Sequence, residues 1–256
     1  MKKFRGIFLK NENEIELLRQ ANKIVSTVLD ALGEAVRPGV DTMFFEDLAS
    51  KMCDDFGVKP AFKGYHGFPY CLCCSVNEEI VHGFPSKTRI LHEGDIVSFD
   101  MGVIFRGFYG DSARTYAVGE VSSEVRRLLD VTRDSLMAGI GQAKVGNRLC
   151  DISAAVQQYV EQAGFQVVRR FVGHGIGRSL HEKPEVPNFV ANGLPDVPLK
   201  QGMVLAIEPM VTVGSPEVEI LADNWTAVTK DRSLAAHFEH SIAITANGPA
   251  ILSVTE

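Results

Sequence analysis

The sequence predicts an α+β fold made of two similar αβ halves, and three observations carry that prediction. Segments with helical spacing occur as two pairs, at residues 13–55 and 123–163, and each pair precedes segments that read as strands. Two strand-like runs echo one another at an offset of 108 residues. These are His92-Glu93-Gly94-Asp95-Ile96-Val97-Ser98-Phe99-Asp100-Met101 and Lys200-Gln201-Gly202-Met203-Val204-Leu205-Ala206-Ile207-Glu208-Pro209, each placing a glycine six residues before an acid across an apolar stretch. Finally, no low-complexity linker or charge block interrupts the 256 residues, so 1–256 reads as one domain.

Each element has a local justification. Ile15, Leu18, Ala21, Val25, Val28 and Leu32 recur at helical spacing over 13–32, with Asn11 or Asn13 available as a cap and Gly33 as a stop. Pro38-Gly39 turns the chain into a second helical stretch at about 42–55, ending near Gly57. Residues 61–90 are rich in glycine and aromatics, with short strand-like pieces. Ser123 opens a third helix to about 139, and Asn147 or Asp151 opens a fourth to about 163, closed by Gly164. Beyond it come mainly strands and loops, with Pro184, Pro187, Pro195 and Pro198 marking irregular connections.

Composition narrows the function. With 26 Lys+Arg against 32 Asp+Glu the net charge is −6, which argues against a nucleic-acid binder. Hydrophobic content of 45% with 23% charged residues is that of a globular protein, and a chain of this length buries roughly three quarters of its unfolded surface without disulfide staples. The five cysteines are odd in number and clustered at Cys71, Cys73 and Cys74, unlike a secreted disulfide framework. Cys71 and Cys74 form a C-x-x-C, but no second pair follows, so a zinc ribbon is set aside. The N-terminal ten residues lack the apolar core of a signal peptide, and no 18-residue apolar stretch occurs. The expectation is a soluble cytoplasmic protein with no membrane contact.

Acids in apolar strand contexts are the strongest chemical signal. Ile96-Val97-Ser98-Phe99-Asp100-Met101 reads as a buried strand that contains Asp100, and an ionised carboxylate there is costly unless paired or metal-bound. Gly102 and Gly107 bracket a short turn. The return strand, residues 107–116, brings Asp111 onto the face of Asp100 in an antiparallel hairpin. Arg114 or a divalent cation can sit between the two acids. The apolar run 204–209 carries Glu208, and a third strand over 235–244 alternates Phe238, His240, Ile242 and Ile244 with His237, Glu239, Ser241 and Ala243. Four such acids with few basic residues in the same strands point to oxygen-rich coordination of divalent cations. Among the histidines, His174 lies between Gly173 and Gly175, His181 follows seven residues on, and His82 precedes Gly83. His66, His92, His237 and His240 are read as structural or surface residues.

Together these motifs resemble the methionine aminopeptidases of type I. The matching stretches are Ser75-Val76-Asn77-Glu78-Glu79-Ile80-Val81-His82-Gly83, Val97-Ser98-Phe99-Asp100-Met101-Gly102, Gly110-Asp111-Ser112-Ala113, Gly173-His174-Gly175-Ile176-Gly177, Glu208-Pro209 and Phe238-Glu239-His240. They agree in order and spacing, and the likeness runs from about residue 10 to the C-terminus. It implies the "pita-bread" fold, two pseudo-symmetric αβ halves around a curved, largely antiparallel sheet. It implies the short bacterial-type form, without the type II insertion or the eukaryotic N-terminal extension. It also implies five ligands for two divalent ions (Mn, Fe, Co or Zn): Asp100, Asp111, His174, Glu208 and Glu239, with Asp111 and Glu239 bridging. Four carboxylates at −4 match two ions at +4. On the resemblance Glu208 is the proton shuttle beside a bridging hydroxide, and His82 and His181 contact substrate and oxyanion. Tyr65, Phe68, Cys73 and Trp225 line the methionine pocket, Phe68 standing where relatives often have Tyr and Leu180 where they often have Phe. The implied activity removes N-terminal methionine from nascent polypeptides when the second residue is small, with the protein acting as a monomer. The alternatives are an Xaa-Pro aminopeptidase or prolidase, which usually adds an N-terminal domain, and a non-catalytic binding protein of the same fold, which would lose ligands.

Overall fold

Asn11 starts the first helix. Its side chain accepts the Glu14 N–H at 3.0 Å, and the Glu14 carboxylate accepts the Asn11 N–H at 3.1 Å, a reciprocal cap for two otherwise free donors. The computed structural model describes residues 2–190 and 196–255, which leaves Pro195 outside the described residues. A small hairpin, β1 (Lys2–Phe4) and β2 (Ile7–Leu9), precedes α1 (Glu12–Ala35) and α2 (Met43–Asp55). Then come β3 (Lys59–Pro60), β4 (Leu72–Val76), β5 (Glu79–Val81), β6 (Ile96–Phe105) and β7 (Phe108–Ala117). The second helix pair is α3 (Ser123–Gln142) and α4 (Leu149–Gln162). The remaining strands are β8 (Gln166–Val167), β9 (Gly173–Gly175), β10 (Glu182–Val186), β11 (Val204–Ile207), β12 (Met210–Thr212), β13 (Val218–Ile220), β14 (Ala227–Thr229), β15 (Ala235–His237), β16 (His240–Thr245) and β17 (Gly248–Ile251).

The sequence echo is a structural repeat. β6 is flanked antiparallel by β4 and β7, and β11 is flanked antiparallel by β9 and β16. The two echoing glycines both turn the chain with left-handed backbone, Gly94 at φ 90° and Gly202 at φ 88°. Each then donates its N–H across the sheet, Gly94 to Val118 O and Gly202 to Ile244 O, both at 2.9 Å. Helices cover one face in each half. Val25, Leu29 and Leu32 of α1 join Val97, Phe99 and Met101 in one core, while Leu136, Ile140 and Ile152 join Leu205, Ile207 and Ile242 in the other. Burying each such side chain contributes about 1.5–3 kcal/mol. Strand alternation then turns Asp100 and Asp111 to the opposite, inner face.

Several boundaries differ from the sequence expectation. α1 continues past Gly33, because that glycine makes room for an aromatic: a Cβ there would lie 2.3 Å from the Tyr116 ring. The cap of α3 is Ser122, accepting the Val125 N–H at 3.2 Å, and Gly139 lies inside the helix against Val156 of α4. Neither Asn147 nor Asp151 occupies the cap of α4; Arg148 does, its N–H held by the Asp151 carboxylate at 2.7 Å. The β6–β7 turn is Arg106-Gly107, both at positive φ, as a two-residue hairpin turn requires, and Gly102 is inside β6. Pro184 lies within β10, so it is a strand residue and not a connection. The expected strand 235–244 is two strands in two sheets, interrupted at Phe238-Glu239.

Gly110 sets the distance between α1 and β7. A Cβ there would meet the Ala21 carbonyl carbon at 2.6 Å and the Asn22 nitrogen at 2.8 Å, and the next residue, Asp111, donates its N–H to Asn22 Oδ1 at 3.1 Å. Gly110→Ala is expected to destabilise the fold by about 1–3 kcal/mol through overpacking, and to weaken metal binding by displacing Asp111. Denaturant unfolding and metal titration of the variant check this; wild-type values in both would refute the account.

Candidate active site

All eleven residues singled out in the sequence line one cavity of about 410 Å³: Tyr65, Phe68, Cys73, His82, Asp100, Asp111, His174, His181, Glu208, Trp225 and Glu239. The two halves deliver the acids differently. On the β6–β7 hairpin Asp100 faces Ala113 and Asp111 faces Gly102, so the two carboxylates are diagonal neighbours on one face. Arg114 is one residue out of phase and points to the helix side, where it pairs with Asp30 and donates to Ser26 Oγ at 2.5 Å. Of the two expected counter-charges for this pair, the arginine is therefore turned away. In the second half Glu208 follows β11 and Glu239 precedes β16. The pairs Ile207–His240 and Met210–His237 keep one register across the break, so Glu208 and Glu239 stand opposite one another.

His174 is placed by its glycines. A Cβ on Gly173 would lie 2.3 Å from Ala206 O, and one on Gly175 2.2 Å from Lys183 O, so only glycine lets β9 sit between β10 and β11. His174 Nδ1 contacts Gly175 O at 2.9 Å. A carbonyl only accepts, so Nδ1 carries the proton and the Nε2 lone pair faces the cavity. Nε2 lies 3.7 Å from Asp111 Oδ2 and 3.6 Å from Glu208 Oε1. Those spacings are too long for hydrogen bonds and suit groups that share a cation. Ligand atoms of Asp111, His174 and Glu239 all lie within 4.8 Å of one another. Asp100 Oδ1, Asp111 Oδ1 and Glu239 Oε1 are buried without a hydrogen-bond partner among the described residues. Buried, unpartnered carboxylate oxygens beside an imidazole lone pair are the donor set of a divalent metal site.

The electrostatics agree. Burial pushes the Asp100 carboxyl up to about 7. Burial, then the charge of neighbouring acids, pushes Asp111, Glu208 and Glu239 well above their ordinary range. The histidines move the other way: burial, then His181, lowers His174 to about 3 and His82 to about 4. His181 is lowered by burial and then by His66; its Nδ1 is 2.7 Å from the Tyr65 hydroxyl, and its ring meets that of His174 edge-on at 4.3 Å. The Cys73 thiol, across β4–β6 from Asp100, is raised by burial and then by Asp100 and Asp111, which makes it an inert wall residue. Cys71 Sγ, from the C-x-x-C, donates to Glu46 Oε2 at 3.0 Å.

Phe68 packs edge-on against Trp225 at 5.1 Å and Phe84 at 5.5 Å, an aromatic wall suited to a thioether. Leu180 also lines the cavity. The structure adds His237, read from sequence as structural or surface; it is 1% exposed and lines the same cavity. Its alternation with Glu239 was the signal that could have placed it there. His240 is half-buried, with Nδ1 2.8 Å from Ser253 Oγ, while His66 sits exposed at the rim.

Residues 16–246 match metallopeptidase family M24. A methionine aminopeptidase of Clostridium acetobutylicum is 52% identical over 98% of this chain and all of that relative, and methionine aminopeptidase 1 of Bacillus subtilis is 48% identical over 96% and 99%. The crystal structure of methionine aminopeptidase from Thermotoga maritima superposes with a TM-score of 0.94 at 47% identity, covering 97% of this chain and 99% of that one. A prolidase from Pyrococcus furiosus shares the fold at TM-score 0.77 and 22% identity; the chain spans 66% of it.

A carboxyl group whose pKa is raised on folding costs the metal-free protein stability as pH rises from its unfolded value, about 4, to its folded one, about 7 for Asp100. Cations that bind the ionised form offset this cost. The rise in melting temperature on adding Mn²⁺ to metal-free protein is expected to be larger at pH of about 7.5 than at about 5.5. Equal increments at both pH values, measured by calorimetry, would contradict a carboxylate-held metal.

Proposed function

The chain belongs to metallopeptidase family M24, and from that membership we propose that it is a divalent-metal-dependent aminopeptidase that removes the N-terminal methionine of nascent polypeptides whose second residue is small. The observation that carries this reading is the convergence of Asp111, His174 and Glu239, with Asp100 and Glu208, beside an apolar aromatic pocket. These five residues would hold two divalent ions, with Mn²⁺, Fe²⁺, Co²⁺ and Zn²⁺ all compatible with the oxygen-rich set. When bound, the ions polarise the scissile carbonyl and activate the attacking water. The side chains do the rest. Glu208 moves the proton from that water to the leaving amine. Tyr65, Phe68, Cys73 and Trp225 receive the methionine side chain, and His82 orients the substrate. His181 Nδ1 is 2.7 Å from the Tyr65 hydroxyl, and in the tautomer in which that hydroxyl donates to Nδ1, Nε2–H is free to donate to the developing oxyanion. The whole chain would act as one catalytic domain, a monomer in the cytoplasm, needing neither nucleic acid nor membrane; no described helix is long and apolar enough to cross one.

Hydrolysis of Met-Ala-Ser, Met-Lys-Ser and Ala-Pro peptides tests the assignment. Met-Ala-Ser is expected to be cleaved, Met-Lys-Ser to be poor and Ala-Pro inert, with activity lost on thorough chelation and restored by Mn²⁺. Full activity in verified metal-free protein, or a preference for Ala-Pro, would overturn it.

For His181→Ala, loss of one oxyanion donor is expected to lower kcat about 10²–10³-fold while KM stays within a few-fold. Metal content and melting temperature should match wild type. Near-normal kcat would make His181 a bystander; loss of metal in step with activity would make it a ligand.

A further inference from the structure

His237 is a buried polar group that nothing in the protein uses. It is 1% exposed, and both ring nitrogens lack a hydrogen-bond partner among the described residues. Buried polar atoms cost about 1–3 kcal/mol when unsatisfied, so two on one ring call for a partner brought from outside. Its backbone is fixed in place. The Thr115 hydroxyl accepts the His237 N–H at 2.9 Å and donates to the His237 carbonyl at 2.8 Å. The ring is thereby held at the cavity wall, where Met210 lies directly across the β12–β15 pair and where Val81, Phe171 and Trp225 also line the space. Of the titratable groups, His82 is the one that acts on the ring. His237 is also outside the group of converging metal-ligating atoms.

We propose that His237 is a specificity-determining residue whose ring N–H donates to the thioether sulfur of the substrate's N-terminal methionine. This rests on the methionine aminopeptidase reading above. A neutral imidazole offers one N–H and one lone pair. Sulfur is a weak acceptor and a methylene is none, so a ring donor set on the cavity wall opposite Met210 distinguishes methionine from norleucine, its near-isostere. The gain is modest, because a single hydrogen bond to a weak acceptor contributes little beyond apolar burial.

The test uses Mn²⁺-loaded full-length protein and two peptides, Met-Ala-Ser and norleucyl-Ala-Ser. In wild type, kcat/KM is expected to favour methionine. In His237→Leu the methionine-to-norleucine ratio is expected to fall about 3- to 10-fold, and in His237→Gln, which keeps an N–H donor, to stay close to wild type. The melting temperature of the leucine variant is expected to equal or exceed that of wild type, since two unpaired buried nitrogens are removed; should leucine not be tolerated, His237→Met removes the donor with an unbranched side chain. An unchanged ratio in the donor-less variant overturns the proposal, as does a fall in metal content, which would make His237 a ligand. A wild-type protein that cleaves neither peptide would instead defeat the functional reading on which the proposal stands.

Discussion

A seam of short hydrogen bonds joins the two halves, and the site depends on it. The Ser112 hydroxyl donates to Glu239 O at 2.6 Å, Glu239 donates its N–H to Ala113 O at 2.8 Å, and the Ser241 hydroxyl donates to Asp111 O at 2.9 Å. Asp111 comes from one half and Glu239 from the other, and this stitching brings their carboxylates together. Two like charges about 4 Å apart repel by about 4 kcal/mol at an effective dielectric of about 20. Hydrogen bonds contribute about 0.5–1.5 kcal/mol each, so the seam and the repulsion are of similar size. The halves can hold the acids together without metal only by leaving some of them protonated. With cations present, the same geometry becomes favourable.

Each half meets that demand with a different backbone device. In the first, Asp100 and Asp111 sit within unbroken strands, and alternation alone turns them inward while Arg114, Tyr116 and the apolar partners turn out to α1. In the second, the ribbon opens at Glu208-Pro209 opposite Phe238-Glu239. Pro209 has no N–H to donate, so Phe238 O loses its ladder donor there, and Glu239, one residue on, turns its N–H to the other side of its strand, where Ala113 O of the other half accepts it at 2.8 Å. The unbroken register sets two glutamates face to face, and the alternation of ladder bonds leaves the Glu239 N–H for the seam.

Much of this was legible in the sequence. Helices announced themselves through period, the first also through its Asn11 cap, the repeat through Gly94 and Gly202, and the site through acids that an apolar strand has no other reason to contain. The strand interruption at 238–239 was not legible, because alternation reports which face a residue shares and not which sheet it joins; that choice depends on Ala113, more than a hundred residues away. Gly102 misled because a glycine within a strand and one in a turn look alike locally, and it was the close approach of Gly110 O that decided. His237 escaped for the same kind of reason. Its burial comes from Thr115 and Met210, neither of which is near it in sequence.

The histidines show why the charge in the site must come from metal. His82, His174, His181 and His237 line the cavity that holds the four carboxyl groups, and imidazolium ions there could in principle neutralise them. The environment prevents it: burial moves all four imidazoles toward the neutral form. His174 is within 4 Å of Asp111 and Glu208, yet its proton is on Nδ1, committed to Gly175 O, so it meets those acids with a lone pair. Arg114, the strand's own cation, is committed to Asp30 on the far face. The four imidazoles are thus held toward the neutral form, and the hairpin's own arginine is turned aside. What remains is a neutral nitrogen donor among carboxylate oxygens, an arrangement costly as a salt-bridge network and suited to divalent cations.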